Sequence, residues 1–304
     1  MPPRMPSLRC LRTTPPHPLA LQPPRRTYAS KSEPLTLSYD LHEPPRPSSD
    51  APRAIIFMHG LFGSKKNNRS ISKALARDLG RPIYAVDLRN HGDSPHHPHH
   101  DYLSMAADVA HFMAAHSLTK PTLIGHSMGA KTAMALALRA PALVHDFVAV
   151  DNAPVDVALQ SAFAAYVRAM QKVEAADVTR QADADAILSA VEPSLPVRQF
   201  LLGNLYQPPE LPYRRFKVPL QILGAALGNL GDFPFKDPGE ARFEGDALFV
   251  RGTRSKYVSD EALPLIGAFF PRFRVVDVDC GHWVISEKPE EFRRAVVEFL
   301  TPKE

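Results

Sequence analysis

The sequence predicts an α/β protein, in which a mainly parallel sheet is covered by helices and carries a mainly helical insertion. From about residue 53 onward, short apolar runs of strand length alternate with longer segments of helical periodicity. The apolar runs are nearly continuous, which is typical of parallel strands buried on both faces. With 304 residues and 44% hydrophobic content, the chain can bury a full core within one main domain.

Seven strands and five helices of this domain are predicted from the two patterns. Each strand is an apolar run of four to eight residues. In chain order the strands are Leu35–Leu41, Ala54–His59, Pro82–Leu88, Thr122–Ser127, Asp146–Asp151, Ala247–Arg251 and Arg274–Asp279. Each helix has apolar residues spaced three or four apart. In chain order the helices are Arg69–Leu79, Ser104–Ser117, Met128–Arg139, Ser259–Phe269 and Pro289–Leu300.

Residues 155–240 interrupt the alternation of strands and helices. Two helical patterns, Ala158–Val173 and Asp183–Ala190, are followed by a Pro- and Gly-rich stretch from Pro208 to Pro238. We expect residues 155–240 to form a mainly helical cap, with residues 53–154 and 241–304 as the core beneath it.

The first 28 residues have a composition of their own, with Ser, Thr and five arginines but no Asp or Glu. This composition is typical of a mitochondrial transit peptide, and the run Arg26-Thr-Tyr-Ala-Ser30 is similar to a matrix processing site with cleavage near Tyr28. However, 13 of the 31 prolines lie in residues 1–52, and proline opposes the amphipathic helix of a transit peptide. The alternative is a disordered Pro-rich tail without a targeting signal. Residues 29–52 form a Pro-rich lead-in with the first strand.

The formal charge of +4 also belongs to this leader. Removing its five arginines leaves 31 basic against 32 acidic residues, without the basic stripe and interleaved aromatics of a nucleic-acid-binding protein. Of the two cysteines, Cys10 lies in the leader and Cys280 in the domain, so the processed chain could form no intrachain disulfide, as fits a reducing compartment. No stretch approaches the ~18 consecutive apolar residues of a membrane-spanning helix.

Gly125-His-Ser127-Met-Gly129 matches the pattern G-x-S-x-G, in which a tight strand-to-helix turn exposes a serine hydroxyl. The context fits, because a predicted strand precedes the run and an Ala-rich helix follows it. Glycines are expected on both sides, since a Cβ there would collide across the turn. Ser127 is the predicted nucleophile, and the alternative is a serine that only caps the helix.

A serine hydroxyl attacks an ester only when a histidine accepts its proton and a carboxylate orients that histidine. The expected order along the chain is serine, acid, histidine. His282 follows the last predicted strand and precedes the C-terminal helix, a placement that the other twelve histidines lack. His282 is therefore the predicted base.

Two neighbouring strand ends could supply the acid. After Ala247–Arg251, the chain has Ser255 where an aspartate is common in such sites. The preceding strand ends in Asp151, at the carboxyl edge of the sheet where ligands bind. Asp151 is the predicted acid, with Asp260 or Glu261 as the alternative.

Attack on a carbonyl builds negative charge on its oxygen, which needs fixed hydrogen-bond donors. One predicted donor is the backbone N–H of Met128, directly after the nucleophile. The other is the backbone N–H of Leu61, in the loop His59-Gly-Leu-Phe-Gly63 that follows an earlier strand.

Neither a metal nor a cofactor is predicted. The run His96-His-Pro-His-His100 is the one cluster of candidate ligands. Side chains this close in a Pro-containing loop seldom converge on one ion, and only Asp101 accompanies them.

Four sequence runs together resemble one branch of the alpha/beta-hydrolase fold. They are His59-Gly-Leu-Phe-Gly-Ser-Lys-Lys-Asn-Asn-Arg69, Val86-Asp-Leu-Arg-Asn-His-Gly-Asp-Ser-Pro95, Gly125–Gly129 and Val150-Asp-Asn-Ala-Pro-Val155. The branch is the mitochondrial alpha/beta-hydrolase-domain-eleven family, with its fungal Imo32-like relatives and the yeast ethanol acetyltransferases. The resemblance spans about residues 33–302. In related short-chain esterases the acid lies 24 residues after the nucleophile, the spacing of Ser127 and Asp151 here.

Three functions follow from these residues and the resemblance. The first is a serine hydrolase that cleaves small carboxylic esters or thioesters through an acyl-Ser127 intermediate. The second is an alcohol acyltransferase that makes acetate esters from acetyl-CoA and ethanol with the same triad. The third is a hydrolase-shaped protein that binds a matrix enzyme complex, because animal members of the resembled family are associated with the 2-oxoglutarate dehydrogenase complex.

Overall fold

The computed structural model describes residues 32–46, 53–156 and 161–301. The predicted transit peptide, its cleavage site and Cys10 lie outside these residues. Their assignment therefore stays a prediction from the sequence.

The described residues contain nine strands and ten α-helices. In chain order the strands are β1 (Tyr39–His42), β2 (Ile55–Met58), β3 (Ile83–Val86), β4 (Thr122–His126), β5 (Asp146–Val150), β6 (Leu205–Tyr206), β7 (Arg215–Phe216), β8 (Asp246–Gly252) and β9 (Phe273–Val278). The helices are α1 (Arg69–Leu79), α2 (Tyr102–Ala115), α3 (Met128–Arg139), α4 (Ser161–Ala175), α5 (Gln181–Ser189), α6 (Leu195–Leu202), α7 (Leu220–Gly231), α8 (Leu263–Phe269), α9 (Val284–Glu287) and α10 (Pro289–Leu300).

Seven strands form one sheet in the order β1-β3-β2-β4-β5-β8-β9, and all neighbours are parallel except β1 with β3. β2, β4 and β5 are buried along their whole length. This sheet confirms the predicted fold class. The short strands β6 and β7 pair separately as an antiparallel hairpin.

Helices cover the sheet on both faces, so that it separates two apolar cores. One core packs residues such as Ile56 of β2 against α2 and α3. The other packs Phe57 of β2 against α1 and α10, with the rings of Phe57 and Phe292 6.3 Å apart. Alternating side chains of one strand thus enter opposite cores, as the pleat requires.

The first strand is shorter than the predicted Leu35–Leu41. β1 begins at Tyr39 because earlier backbone N–H groups are bound by side chains instead of β3. Leu35 N–H donates to the carboxylate of Asp108 at 2.7 Å, and Ser38 N–H donates to the hydroxyl of Ser94 at 2.9 Å. A backbone donor that is already paired contributes nothing to a sheet ladder.

The predicted helix Ser259–Phe269 is divided in two. A 3-10 turn covers Asp260–Ala262, and α8 then begins at Leu263 with Pro264 in its first turn. Proline lacks a backbone N–H and is tolerated only at a helix start, so the α-helical hydrogen bonds begin there.

Residues 155–240, called the helical insertion below, lie between β5 and β8. Its described part holds α4 to α7 and the β6–β7 hairpin. The Pro- and Gly-rich stretch from Pro208 to Pro238, for which the sequence predicts no element, contains β7 and α7. Leu220, Leu223 and Leu230 of α7 are buried, so packing stabilises a helix that contains three glycines. No helix in the described part of the chain is long and apolar enough to cross a membrane.

Candidate active site

Ser127 lies in the turn between β4 and α3. Its φ of 53° and ψ of −111° are unusual for a residue with a side chain, and such strain is common at functional positions. A Cβ on Gly125 would lie 2.2 Å from the backbone of Gly129, and one on Gly129 would lie 2.5 Å from the carbonyl oxygen of Met58. Both flanking positions therefore require glycine, as the sequence pattern predicts.

The structure brings Ser127, His282 and Asp151 together. Nε2 of His282 lies 3.0 Å from the hydroxyl oxygen of Ser127, and Nδ1 lies 2.6 Å from Oδ2 of Asp151. Because a carboxylate only accepts hydrogen bonds, Nδ1 carries the proton and Nε2 is left to accept the serine hydroxyl. This arrangement can deprotonate Ser127.

Asp151 directly follows β5 and is fully buried, with a φ of 51°. Its Oδ1 accepts the backbone N–H of Gly252 at 3.1 Å, and its Oδ2 also accepts the hydroxyl of Ser255 at 2.5 Å. Three donors therefore satisfy a carboxylate whose burial would otherwise be costly.

The alternative acids, Asp260 and Glu261, lie in the exposed 3-10 turn before α8. The carboxylate of Asp260 accepts a hydrogen bond from Arg251 at 2.5 Å. No hydrogen bond joins either residue to His282 within the described ranges. The structure thus places Asp151, and neither alternative, against the imidazole.

The loop that carries Leu61 passes beside Ser127. A Cβ on Gly60 would lie 3.3 Å from the Cβ of Ser127 and 3.1 Å from the ring of His126. Within residues 32–46, 53–156 and 161–301, no group accepts a hydrogen bond from the N–H of Leu61 or of Met128. Met128 is also the first residue of α3, where backbone N–H groups have no partner inside the helix.

Two buried histidines join this loop to the loop Asp87–Gly92. His91 accepts the N–H of Phe62 through Nε2 at 3.1 Å, and its other ring nitrogen donates to the carbonyl of Arg89 at 2.9 Å. His59 likewise accepts the N–H of Leu88 at 3.0 Å. Burial lowers the pKa of both imidazoles, which keeps them neutral and able to accept. The Asp87–Gly92 loop is thus hydrogen-bonded to the loop that carries Leu61.

The sequence pattern of a family described as alpha/beta hydrolase fold matches residues 53–289. The chain belongs to the alpha/beta-hydrolase fold family. The match covers the whole sheet except β1, together with the helical insertion.

Similar proteins place this alpha/beta hydrolase among enzymes that act on acyl groups. A protein of Saccharomyces cerevisiae named "Probable alcohol acetyltransferase" is 40% identical over 297 residues, which cover 89% of this chain and 84% of that protein. The sn-1-specific diacylglycerol lipase ABHD11 of Xenopus tropicalis is 39% identical, over 91% of this chain and 85% of its own length. The solved structure of a marine microorganism esterase superposes with a TM-score of 0.80, at 28% identity, over 88% of this chain and 100% of that chain. These likenesses confirm the resemblance found in the sequence, and the chain is an enzyme of the hydrolase or acyltransferase kind.

His282 is held from two sides. The ring of Tyr257 stacks on the imidazole of His282, with centroids 4.2 Å apart and an angle of 29°. Nε2 of His126 donates to the carbonyl oxygen of His282 at 2.9 Å. Burial lowers the pKa of His126 to about 4, so His126 is neutral. Nothing in the sequence distinguishes Tyr257, whereas His126 is conspicuous only as the neighbour of Ser127.

Two cavities lie on either side of Trp283, which lines both. The first has a volume of about 640 Å³, reaches Gly60 and His126, and extends along apolar residues such as Val197. The second has a volume of about 550 Å³ and reaches His282. Its further lining includes Tyr166, Arg254, Ser255, Lys256 and Tyr257. The hydrolase therefore has one cavity that reaches His126, the neighbour of Ser127, and another that reaches His282.

The helical insertion contributes two contacts that the sequence does not reveal. The ring of Phe200 in α6 meets Trp283 edge to face at 4.7 Å. The side-chain amide of Asn204, which is buried, donates to the carbonyl oxygen of Phe62 at 2.7 Å. The one available signal is a polar residue, Asn204, that follows the apolar run of α6 after a single glycine.

The histidine cluster packs against the loops of the site through His100, whose ring lies 5.7 Å from that of His91. His100 is buried, Nδ1 of its ring lies 3.2 Å from the side-chain amide of Asn90, and burial lowers its pKa to about 3. His97 accepts the N–H of His99 at 3.0 Å. No group of three or more His, Cys, Asp or Glu in the described segments is arranged to hold a metal ion.

Proposed function

We propose that this alpha/beta hydrolase cleaves carboxylic esters or thioesters through an acyl-enzyme formed on Ser127. The observation that carries the proposal is the hydrogen-bonded series Ser127, His282 and Asp151, with distances of 3.0 and 2.6 Å. A buried series of this kind activates a hydroxyl that is otherwise a weak nucleophile.

In the first step, the hydroxyl oxygen of Ser127 attacks the acyl carbonyl while Nε2 of His282 accepts its proton. Asp151 stabilises the imidazolium that forms. The N–H groups of Leu61 and Met128 then bind the negative oxygen, a role in which one donor is typically worth ~10²–10³ in turnover. His282 returns the proton to the departing alcohol or thiol, and water attacks the acyl-serine by the same route in reverse.

The helical insertion serves in this proposal as the cap of the site. Phe200 packs on Trp283, next to the proposed base, and Asn204 bonds the loop that carries Leu61. The 640 Å³ cavity is lined by residues of the insertion and of the core, and its apolar lining includes Val197, Phe200 and Ile285. Such a cavity suits the acyl chain of the substrate, because burial of apolar surface drives its binding.

A fluorophosphonate probe tests the nucleophile, because it reacts with activated serines. We expect the wild-type enzyme to be labelled and the Ser127→Ala variant to remain unlabelled. Labelling of Ser127→Ala to the wild-type level would show that another residue is the nucleophile. Profiling of esters and thioesters with Ser127→Ala as the blank would then identify the acyl group.

The second candidate is acyl transfer to an alcohol, which the 40% identical yeast protein of that name favours. Here an alcohol enters in place of water and leaves as an ester. Product analysis with acetyl-CoA and ethanol distinguishes the two reactions. Ethyl acetate among the products supports transfer, and exclusive formation of acetate rejects it.

We also propose that residues 1–28 direct this enzyme to the mitochondrial matrix, where it could bind an enzyme complex. The support is their composition, five arginines without an acidic residue. Fusion of these residues to a fluorescent protein tests the targeting. Fluorescence in mitochondria would support it, and diffuse cytosolic fluorescence would contradict it. Complementation of a deletion strain by Ser127→Ala tests whether binding alone suffices, since full rescue would reject a catalytic role in the cell.

A further inference from the structure

The carboxylate of Asp151 is shared by two donors at one oxygen. Oδ2 accepts Nδ1–H of His282 at 2.6 Å and the hydroxyl of Ser255 at 2.5 Å. Short hydrogen bonds to a charged acceptor are about twice as strong as neutral ones. Ser255 is therefore bonded to the atom through which Asp151 acts on the imidazole.

The surrounding backbone fixes the direction of the Ser255 hydroxyl. The N–H of Tyr257 donates to its oxygen at 3.3 Å, and the N–H of Ser255 itself donates to the carbonyl of Gly252 at 2.9 Å. Because a carboxylate only accepts hydrogen bonds, the Ser255 hydroxyl donates its proton to Asp151. The N–H of Gly252 holds the other oxygen of the same carboxylate at 3.1 Å.

The loop after β8 is also held against the loop that carries His282. A Cβ on Gly252 would lie 2.2 Å from the carbonyl oxygen of Gly281. This close backbone contact fixes the separation between Ser255 and the imidazole. The Ser255 hydroxyl and Nδ1 of His282 bond the same oxygen of Asp151, so a single atom separates them, and an aspartate side chain is one bond longer than that of serine.

We propose that Ser255 is a positioning residue that acts through Asp151, and that a carboxylate at position 255 can take over the work of Asp151. The proposal rests on the proposed function, because it assumes that Asp151 orients His282. It gives the site two alternative acid positions, one at the end of β5 and one after β8. In this protein position 255 holds a serine, and its hydroxyl supports the carboxylate of Asp151.

The first experiment removes the hydroxyl. In Ser255→Ala the carboxylate keeps Gly252 and His282 but loses one charged hydrogen bond, so we expect kcat to fall about 10-fold with KM unchanged. Ser255→Thr keeps the hydroxyl and should restore most of the turnover. Thr253→Ala, in the same loop, is the matched control and should leave kcat unchanged. Equal kcat values for wild type, Ser255→Ala and Thr253→Ala would overturn the positioning role.

The second experiment moves the acid. Ser255→Asp in the wild-type background places two carboxylates together, which cannot both ionise freely, and should lower kcat. In the Asp151→Asn background the same change supplies the missing carboxylate and should raise kcat at least about 10-fold over Asp151→Asn alone. A merely structural role would not reverse the sign of one substitution in this way.

The outcomes separate this inference from the proposed function. If Asp151→Asn alone retains full turnover in folded protein, the assignment of the acid fails. If Asp151→Asn is inactive and Asp151→Asn/Ser255→Asp is equally inactive, with both variants folded by circular dichroism, the second acid position is rejected while the first stands.

Discussion

The side-chain amide of Asn204 donates a hydrogen bond of 2.7 Å to the carbonyl oxygen of Phe62. Asn204 belongs to the helical insertion, whereas Phe62 follows Leu61 in the loop beside Ser127. The N–H of Phe62 is bound by His91, and its φ of 63° is one that few residues other than glycine adopt. Two distant parts of the chain thus hold one unusual residue next to the proposed nucleophile.

Asn204→Ala should therefore lower both stability and turnover. The substitution leaves the carbonyl of Phe62 without its buried partner, which costs about 1–3 kcal/mol of unfolding free energy, and frees the loop of Leu61. Urea unfolding and steady-state kinetics measure the two effects.

Lys217→Ala is the control for Asn204→Ala. It breaks the exposed ion pair between Lys217 of the insertion and Asp93, 2.9 Å apart. Pairs of this kind contribute only about 0–1 kcal/mol, so kcat should not change. An equal loss of kcat in both variants would mean that turnover depends on contacts between insertion and core in general. The hydrogen bond to Phe62 would then have no special role.

Asp151→Asn should preserve the fold and lower turnover by ~10²–10⁴. An amide can stabilise neither the required tautomer of His282 nor the imidazolium that forms during attack. Asp260→Asn is the comparison, because Asp260 is exposed and bound to Arg251. Its turnover should stay near that of the wild type. Loss of activity in Asp260→Asn, with activity kept in Asp151→Asn, would move the acid to the later loop.

Two helical glycines should respond in opposite ways to alanine. In Gly129→Ala the new Cβ would lie 2.5 Å from the carbonyl oxygen of Met58, so α3 must shift and esterase activity should be lost. In Gly228→Ala the Cβ meets nothing within 4 Å, and alanine favours a helix by about 0.5–1 kcal/mol. Thermal unfolding should show a lower Tm for the first and a higher Tm for the second. A lower Tm for both would refute the steric argument.

Two of the three candidate site residues were predictable as neighbours because each directly follows a buried strand. Ser127 comes directly after β4 and Asp151 directly after β5, and these parallel strands pair His126 with Val150. The carboxyl ends of parallel strands meet at one edge of the sheet, so residues far apart in the chain become neighbours there. Pattern and topology therefore predict that Ser127 and Asp151 lie close together.

The supporting contacts were not predictable from the sequence. Asn204 and Phe62 are 142 positions apart, and their bond depends on how the insertion packs on the core. Ser255 could be identified as the residue at a position where an aspartate is common, but not as a donor to Asp151. The helix α7 was missed because glycine content is a local signal, whereas burial of its leucines is a tertiary one.

Lys131 joins the core to both ends of the insertion. It lies in α3, and its buried ammonium donates to the carbonyl oxygens of Val155 at 2.8 Å and Asp232 at 3.1 Å. Val155 precedes α4, and Asp232 follows α7. Burial lowers the pKa of Lys131 to about 8, whereas a lysine in an unfolded chain titrates near 10.4.

Stability should therefore depend on pH through Lys131. Between about pH 8 and 10.4 the unfolded chain holds a proton on this lysine that the folded protein has released. The unfolding free energy therefore rises with pH in this window, by up to ~1.4 kcal/mol per pH unit. The gain is lost as the pH falls through about 8. Urea unfolding from pH 7 to 10 should show the difference between wild type and Lys131→Met rising with pH. Lys172→Met, at an exposed position of α4, is the control, and its difference should stay level over this range. A level difference for Lys131→Met as well would mean that the buried ammonium keeps its proton up to the pH at which the unfolded chain loses it.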